Sequence, residues 1–98
     1  AVTTSRHPAA ERDLAIVVNA GVAAAAIGDA LRAAAGPHLI ALELFDIYRG
    51  APLDSDEKSL AWRLVLQAED RSLTDPEIDA TIVAVSAAAT AVGGRIRT

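Results

Sequence analysis

The segment Lys58-Ser59-Leu60-Ala61-Trp62-Arg63-Leu64-Val65-Leu66-Gln67 decides the fold, because its side chains alternate between two kinds of surroundings. Leu60, Trp62, Leu64 and Leu66 share one parity, and Ser59, Ala61, Arg63 and Val65 share the other. Successive side chains of a strand point to opposite faces, so this is a strand with one apolar face and one mixed face. Just upstream, Arg49-Gly50-Ala51-Pro52 opens a polar loop through Glu57, with the acidic run Asp54 to Glu57 as a solvated hairpin tip. Before the loop, His38 to Tyr48 reads as another long strand. Gly36-Pro37 stops a helix over Val22 to Ala35, whose Ile27, Leu31 and Ala34 recur at i, i+4 and i+7. Arg12 to Val18 is a β-branched first strand, with Leu14, Ile16 and Val18 on one parity, and it halts at Asn19-Ala20-Gly21. Downstream, Thr74-Asp75-Pro76-Glu77 is a capping box with proline in the first turn, where its missing N–H costs nothing. Ile78, Ile82, Val85, Ala89 and Val92 follow at helical spacing, and Gly93-Gly94 ends that helix before a short Arg95-Ile96-Arg97 strand.

The order is β-α-β-β-α-β. Two right-handed crossovers place both helices on one face of a four-stranded antiparallel sheet and leave the other face open, an α+β, ferredoxin-like arrangement. The length of 98 residues, 52% hydrophobic and 22% charged, fits one domain over residues 1–98 with a largely aliphatic core. The chain has no cysteine, which excludes disulfides, thiolate metal sites and a cysteine nucleophile. His7 and His38 stand apart from any ligand-like carboxylate spacing, so no metal is expected. No apolar run reaches the roughly 20 residues of a membrane helix and no signal peptide is recognisable, which reads as a soluble cytoplasmic protein. Starting at Ala1 rather than Met, the chain reads as a fragment of a longer protein. No glycine-rich loop enters a helix beside a basic residue and no nucleophile stands with a base, so catalysis by this piece alone is not expected.

A formal charge of −4 argues against a grip that relies on phosphates. Arg6, Arg12, Arg49, Lys58 and Arg63 nevertheless fall at strand edges and suggest one basic face on an acidic body. With Leu60, Trp62, Leu64 and Leu66 turned to the helices, the open face carries Ser59, Ala61, Arg63 and Val65, joined by Asp13, Ala15 and Val17. That is a small-residue surface with one Arg and one Asp, and Trp62 belongs to the core rather than to a base-stacking sheet centre. Arg63 opposite Asp13 reads as a cross-strand ion pair. Tyr48, beside Arg49-Gly50, has two readings: a stacking platform for one unpaired base, or a ring folded over the sheet edge whose hydroxyl caps a backbone group.

Four motifs in order resemble a specific family: Pro8 followed by Arg12-Asp13-Leu14-Ala15; Leu44-Phe45-Asp46-Ile47-Tyr48-Arg49-Gly50; Lys58-Ser59-Leu60-Ala61-Trp62-Arg63-Leu64; and Asp70-Arg71-Ser72-Leu73-Thr74-Asp75-Pro76-Glu77-Ile78. The chain is similar over nearly its whole length to the ferredoxin-fold anticodon-binding (FDX-ACB) domain that ends the β subunit of bacterial phenylalanyl-tRNA synthetase. The resemblance implies a non-catalytic module that contacts the anticodon loop of tRNA(Phe), while the parent ligase aminoacylates, with ATP and Mg, at a distant α-subunit site. It implies no cofactor in this domain, the rest of the β subunit and the α subunit as partners, and neither membrane nor DNA. It puts the family's tyrosine on Tyr48 and so favours stacking. It also puts Asp13, Asp46, Ser59 and Arg63 on motif positions as tRNA-binding candidates beside Tyr48, and the strand-edge basic residues Arg12, Arg49 and Lys58 join them. His7 stands where the family often has an aromatic, and Trp62 where it commonly has Phe. A docking module or a small-molecule regulatory domain on the same fold is the alternative.

Overall fold

A computed structural model describes residues 7–97; Arg6, named above among the basic residues, lies outside them. The elements are β1 (Ala10–Asn19), α1 (Ala24–Ala35), β2 (Leu39–Tyr48), β3 (Glu57–Leu66), α2 (Asp75–Ala91) and β4 (Arg95–Arg97). The sheet order is β2-β3-β1-β4, with the three neighbouring pairs all antiparallel. This is the expected ferredoxin-like topology.

The alternation of β3 is realised in full. Leu60, Trp62, Leu64 and Leu66 are buried, and Leu14 and Ile16 of β1 sit opposite Trp62 and Leu60. Ile27 and Leu31 of α1 and Val85 and Ala89 of α2 close the core from the other side. A fully buried aliphatic side chain of this kind contributes about 1.5–3 kcal/mol relative to exposure. Trp62 is core, as its parity demands, and its six-membered ring lies against Gly28 of α1. A Cβ built at Gly28 would stand 3.0 Å from Trp62 Cη2, so the missing side chain lets the indole lie under the helix.

The helix ends follow local chemistry. The Asn19 side chain accepts the Gly21 N–H at 3.0 Å and the Val22 N–H reaches the Asn19 carbonyl at 3.0 Å. This turn occupies Val22, so α1 starts at Ala24 rather than at Val22 as expected. At α2 the capping box forms: the Glu77 N–H donates to Thr74 Oγ1 at 3.3 Å and the Thr74 N–H to Glu77 Oε1 at 3.0 Å. Val92, expected on the buried stripe of α2, is instead its exposed C-terminal flank. The helix has already given way there to the turn at Gly93.

Candidate nucleic-acid interface

The open face is assembled by register. From β3 it receives Ser59, Ala61 and Arg63; the paired positions on β1 are Val17, Ala15 and Asp13. β4 adds Arg95 opposite Val17 and Arg97 opposite Ala15. β2 adds Glu43 opposite Arg63, Asp46 opposite Ala61 and Tyr48 opposite Ser59. The centre is therefore a low floor of small residues ringed by longer polar and aromatic ones. Val17 and Ser59 are only 2% and 3% exposed although they point away from the helices.

Tyr48 reaches this face because β2 is irregular. Strict alternation from Leu42 and Leu44 would send Asp46 and Tyr48 to the helix side. The register instead shifts between Leu44 and Asp46, so Ile47 pairs with Leu60 on the helix side and Tyr48 with Ser59 on the open side. One extra residue inverts every side chain beyond it. Phe45 needs no bulge to face outward, since it keeps the parity of Glu43, and its ring lies 4.7 Å beneath the Arg63 guanidinium.

Two aromatic–cation pairs result. Tyr48 is 40% exposed, and the Arg97 guanidinium lies 5.3 Å from its ring centroid. Since Arg97 is on the opposite edge strand, this contact spans β3 and β1, above the small side chains that make room for it. The Tyr48 hydroxyl donates to the Ala51 carbonyl at 2.6 Å. The hydroxyl thus caps a backbone carbonyl, as one reading of Tyr48 expects, while the residue stays partly exposed. In the second pair Arg63 Nε and Nη2 grip the two Asp13 carboxylate oxygens at 3.0 and 3.2 Å. That hydrogen bonding, ahead of the charge attraction, pushes the Arg63 pKa further up. At the far edge Arg95 donates to Glu57 at 2.8 Å and lowers the Glu57 pKa.

Of the candidates read from the sequence, Asp13, Asp46, Tyr48, Ser59 and Arg63 meet on this face, with Arg49 just past the end of β2. Arg12 and Lys58 are not brought there. They pair with Leu64 and Val18 and so carry helix-side parity, and Lys58 is only 8% exposed. The single basic face is thereby corrected: the basic residues divide between the two sides of the sheet. Three residues of the face escaped the sequence reading, namely Phe45, Arg95 and Arg97. The Arg-Ile-Arg alternation of β4 holds the signal for the two arginines, since Ile96 must face the core. The parity of Leu42 and Leu44 holds the signal for Phe45, while nothing in the sequence marks the bulge that turns Asp46 and Tyr48 to the same face. Among the described residues no three histidine or acidic groups gather as for a metal ion.

The family model of the ferredoxin-fold anticodon binding domain matches residues 5–97. The chain belongs to this family. Curated relatives of this FDX-ACB domain are phenylalanine–tRNA ligase β subunits. That of Moorella thermoacetica is 53% identical over 75 residues, 76% of this chain and 9% of the relative. That of Aromatoleum aromaticum is 42% identical over 94 residues, 95% of this chain and 12% of the relative. That of Thiobacillus denitrificans is 47% identical over 78 residues, 80% of this chain and 10% of the relative. The FDX-ACB chain thus spans about a tenth of the length of these relatives.

Proposed function

We propose that this FDX-ACB chain reads the anticodon loop of tRNA(Phe) on its open sheet face, with Tyr48 stacked on one unpaired base. The observation that carries the reading is the half-exposed Tyr48 ring beside Asp46 and above Ser59, on a face whose centre is cleared of bulk. An anticodon loop offers splayed bases, which aromatic faces and hydrogen-bonding edges recognise without a large positive field. The net charge of −4 fits such local readout and predicts feeble binding by the chain alone. Asp46 supplies a polar edge beside the ring, Ser59 forms the floor beneath it, the Asp13–Arg63 pair lies farther along the same face, and Arg49 flanks the strand end. In this reading the chain is one domain of a longer, cytoplasmic β subunit. The remainder of that subunit and an α subunit hold the tRNA and carry out aminoacylation with ATP and magnesium, and this domain needs no cofactor.

The test is an NMR titration of the labelled chain at low salt with the anticodon stem-loop of tRNA(Phe) and with a loop-scrambled control. The expected result is shifts confined to Tyr48, Asp46, Ser59, Arg63 and their neighbours with the cognate loop. Equal shifts with both loops, or none at millimolar RNA, refute the reading.

A further inference from the structure

Of the three aromatic residues Phe45 and Tyr48 both stay outside the core, and Phe45 does so with no polar atom on its ring. The residue is 42% exposed, so its apolar surface is left unburied. Phe45 shares the open-face parity of Glu43, which stands opposite Arg63, and its ring lies under the Arg63 guanidinium. Arg63 in turn is not free to pair with phosphate: two of its nitrogens are held edge-on by Asp13. A guanidinium whose edge is committed and whose charge is balanced still presents its plane, and planar guanidinium groups stack on nucleobases as aromatic rings do.

We infer that Phe45 and Arg63, oriented by Asp13, form a second base-stacking platform for single-stranded RNA on the open face, separate from Tyr48. This inference rests on the anticodon reading above. Tyr48 stands opposite Ser59, four residues from Arg63 on β3, and three residues from Phe45 on the bulged β2, so the backbone positions of the two platforms lie roughly 10–13 Å apart. Stacked neighbouring bases are about 3.4 Å apart, so the platforms take two different nucleotides whose bases are unstacked from each other. Between them lies Ala61, part of the low floor, which leaves room for the nucleotide linkage that joins the two.

The experiment uses the 98-residue chain at near-millimolar concentration and tRNA(Phe) anticodon stem-loops with 2-aminopurine at one loop position at a time; stacking changes the emission of this base. The expected result is a response at two loop positions. Tyr48→Ala abolishes one and leaves the other; Phe45→Leu and Arg63→Lys abolish the other, each weakening binding by roughly fivefold or more. Arg63→Lys retains the charge without the plane, so a response that survives it overturns the guanidinium platform. A single responsive position, lost with Tyr48→Ala and indifferent to Phe45→Leu, overturns the second platform while the anticodon reading stands. No response at any position overturns both. Near-ultraviolet circular dichroism of the buried Trp62 establishes that each variant is folded.

Discussion

At Tyr48 the hydroxyl is committed to the Ala51 carbonyl, so the ring is what remains for a ligand. Tyr48→Phe therefore separates the two ends of the side chain. Losing one exposed hydrogen bond costs about 0.5–1 kcal/mol of stability, read by urea unfolding, while RNA affinity stays within about twofold. Tyr48→Ala removes the stacking surface and lowers affinity by roughly fivefold or more, which fluorescence anisotropy of a labelled stem-loop measures. Trp62 poses the opposite problem, a large ring whose Nε1–H is buried without a partner. Trp62→Phe discards that orphan donor, worth about 1–3 kcal/mol, but also discards packed volume, so the net change in unfolding free energy is within about 1.5 kcal/mol. Trp62→Ala retains no such compensation and costs about 3–5 kcal/mol. The partner test is Gly28→Ala. A helix interior favours alanine by about 1 kcal/mol, yet here the added methyl meets the indole at 3.0 Å. In Trp62→Phe the crowding atom is gone, so Gly28→Ala is more favourable in that background than in the native one, and a double-mutant cycle reads the difference.

Among the elements, α2 is the one most firmly written into the sequence. Its N-terminus carries the capping box and an Arg71–Glu77 pair with contacts of 2.6 and 2.7 Å. Arg71, then the Thr74 backbone, holds the Glu77 pKa at about 2. Since that lies below the ordinary carboxylate value of about 4.3, the ionised form favours the folded state. This contribution is complete above the ordinary value and disappears as pH falls through the folded one. The melting temperature of the native chain should thus fall more steeply between about pH 5 and pH 2 than that of Glu77→Gln, which keeps a capping side chain without the charge. β4 depends on space rather than charge. A Cβ at Gly94 would lie 2.7 Å from Ile16 Cγ2 and 2.8 Å from the Ala89 carbonyl oxygen. Gly94→Ala is expected to cost about 1–3 kcal/mol in urea unfolding and to loosen β4 from β1. The order of elements and the face of β3 were legible because apolar spacing, a capping box and two glycine stops all agree. The face of β2 was not, since Leu42 and Leu44 set a parity that the bulge at Phe45 reverses. The arginines of β4 were missed for another reason: the Arg-Ile-Arg alternation gives their side, but a strand of three residues does not reveal its partner, and only the pairing with Ala15 to Val17 brings Arg95 and Arg97 beside the rest of the face.

The whole molecule is acidic, at −4, yet three arginines stand on its candidate RNA face. Two of them are already balanced, Arg63 by Asp13 and Arg95 by Glu57. Among the described residues Arg97 is the one arginine of this face without a carboxylate partner, and its guanidinium is drawn toward the Tyr48 ring. Such a surface has little to gain from counterion release. For single strands each neutralised phosphate contributes about −0.7 to the slope of log K against log salt. With Arg97 and Arg49 as the cations available to phosphates, the expected slope is shallower than about −2. Binding that collapses more steeply with salt would mean that phosphates, not bases, hold the loop. Arg97→Gln then separates the two roles of that residue. If it serves a phosphate, the slope flattens by about 0.7 and affinity falls most at low salt. If it supports the Tyr48 ring, affinity falls equally at all salt concentrations with the slope unchanged. The contact across two strands to an aromatic face favours the second outcome, and stem-loop titrations from about 20 to 300 mM salt read it directly.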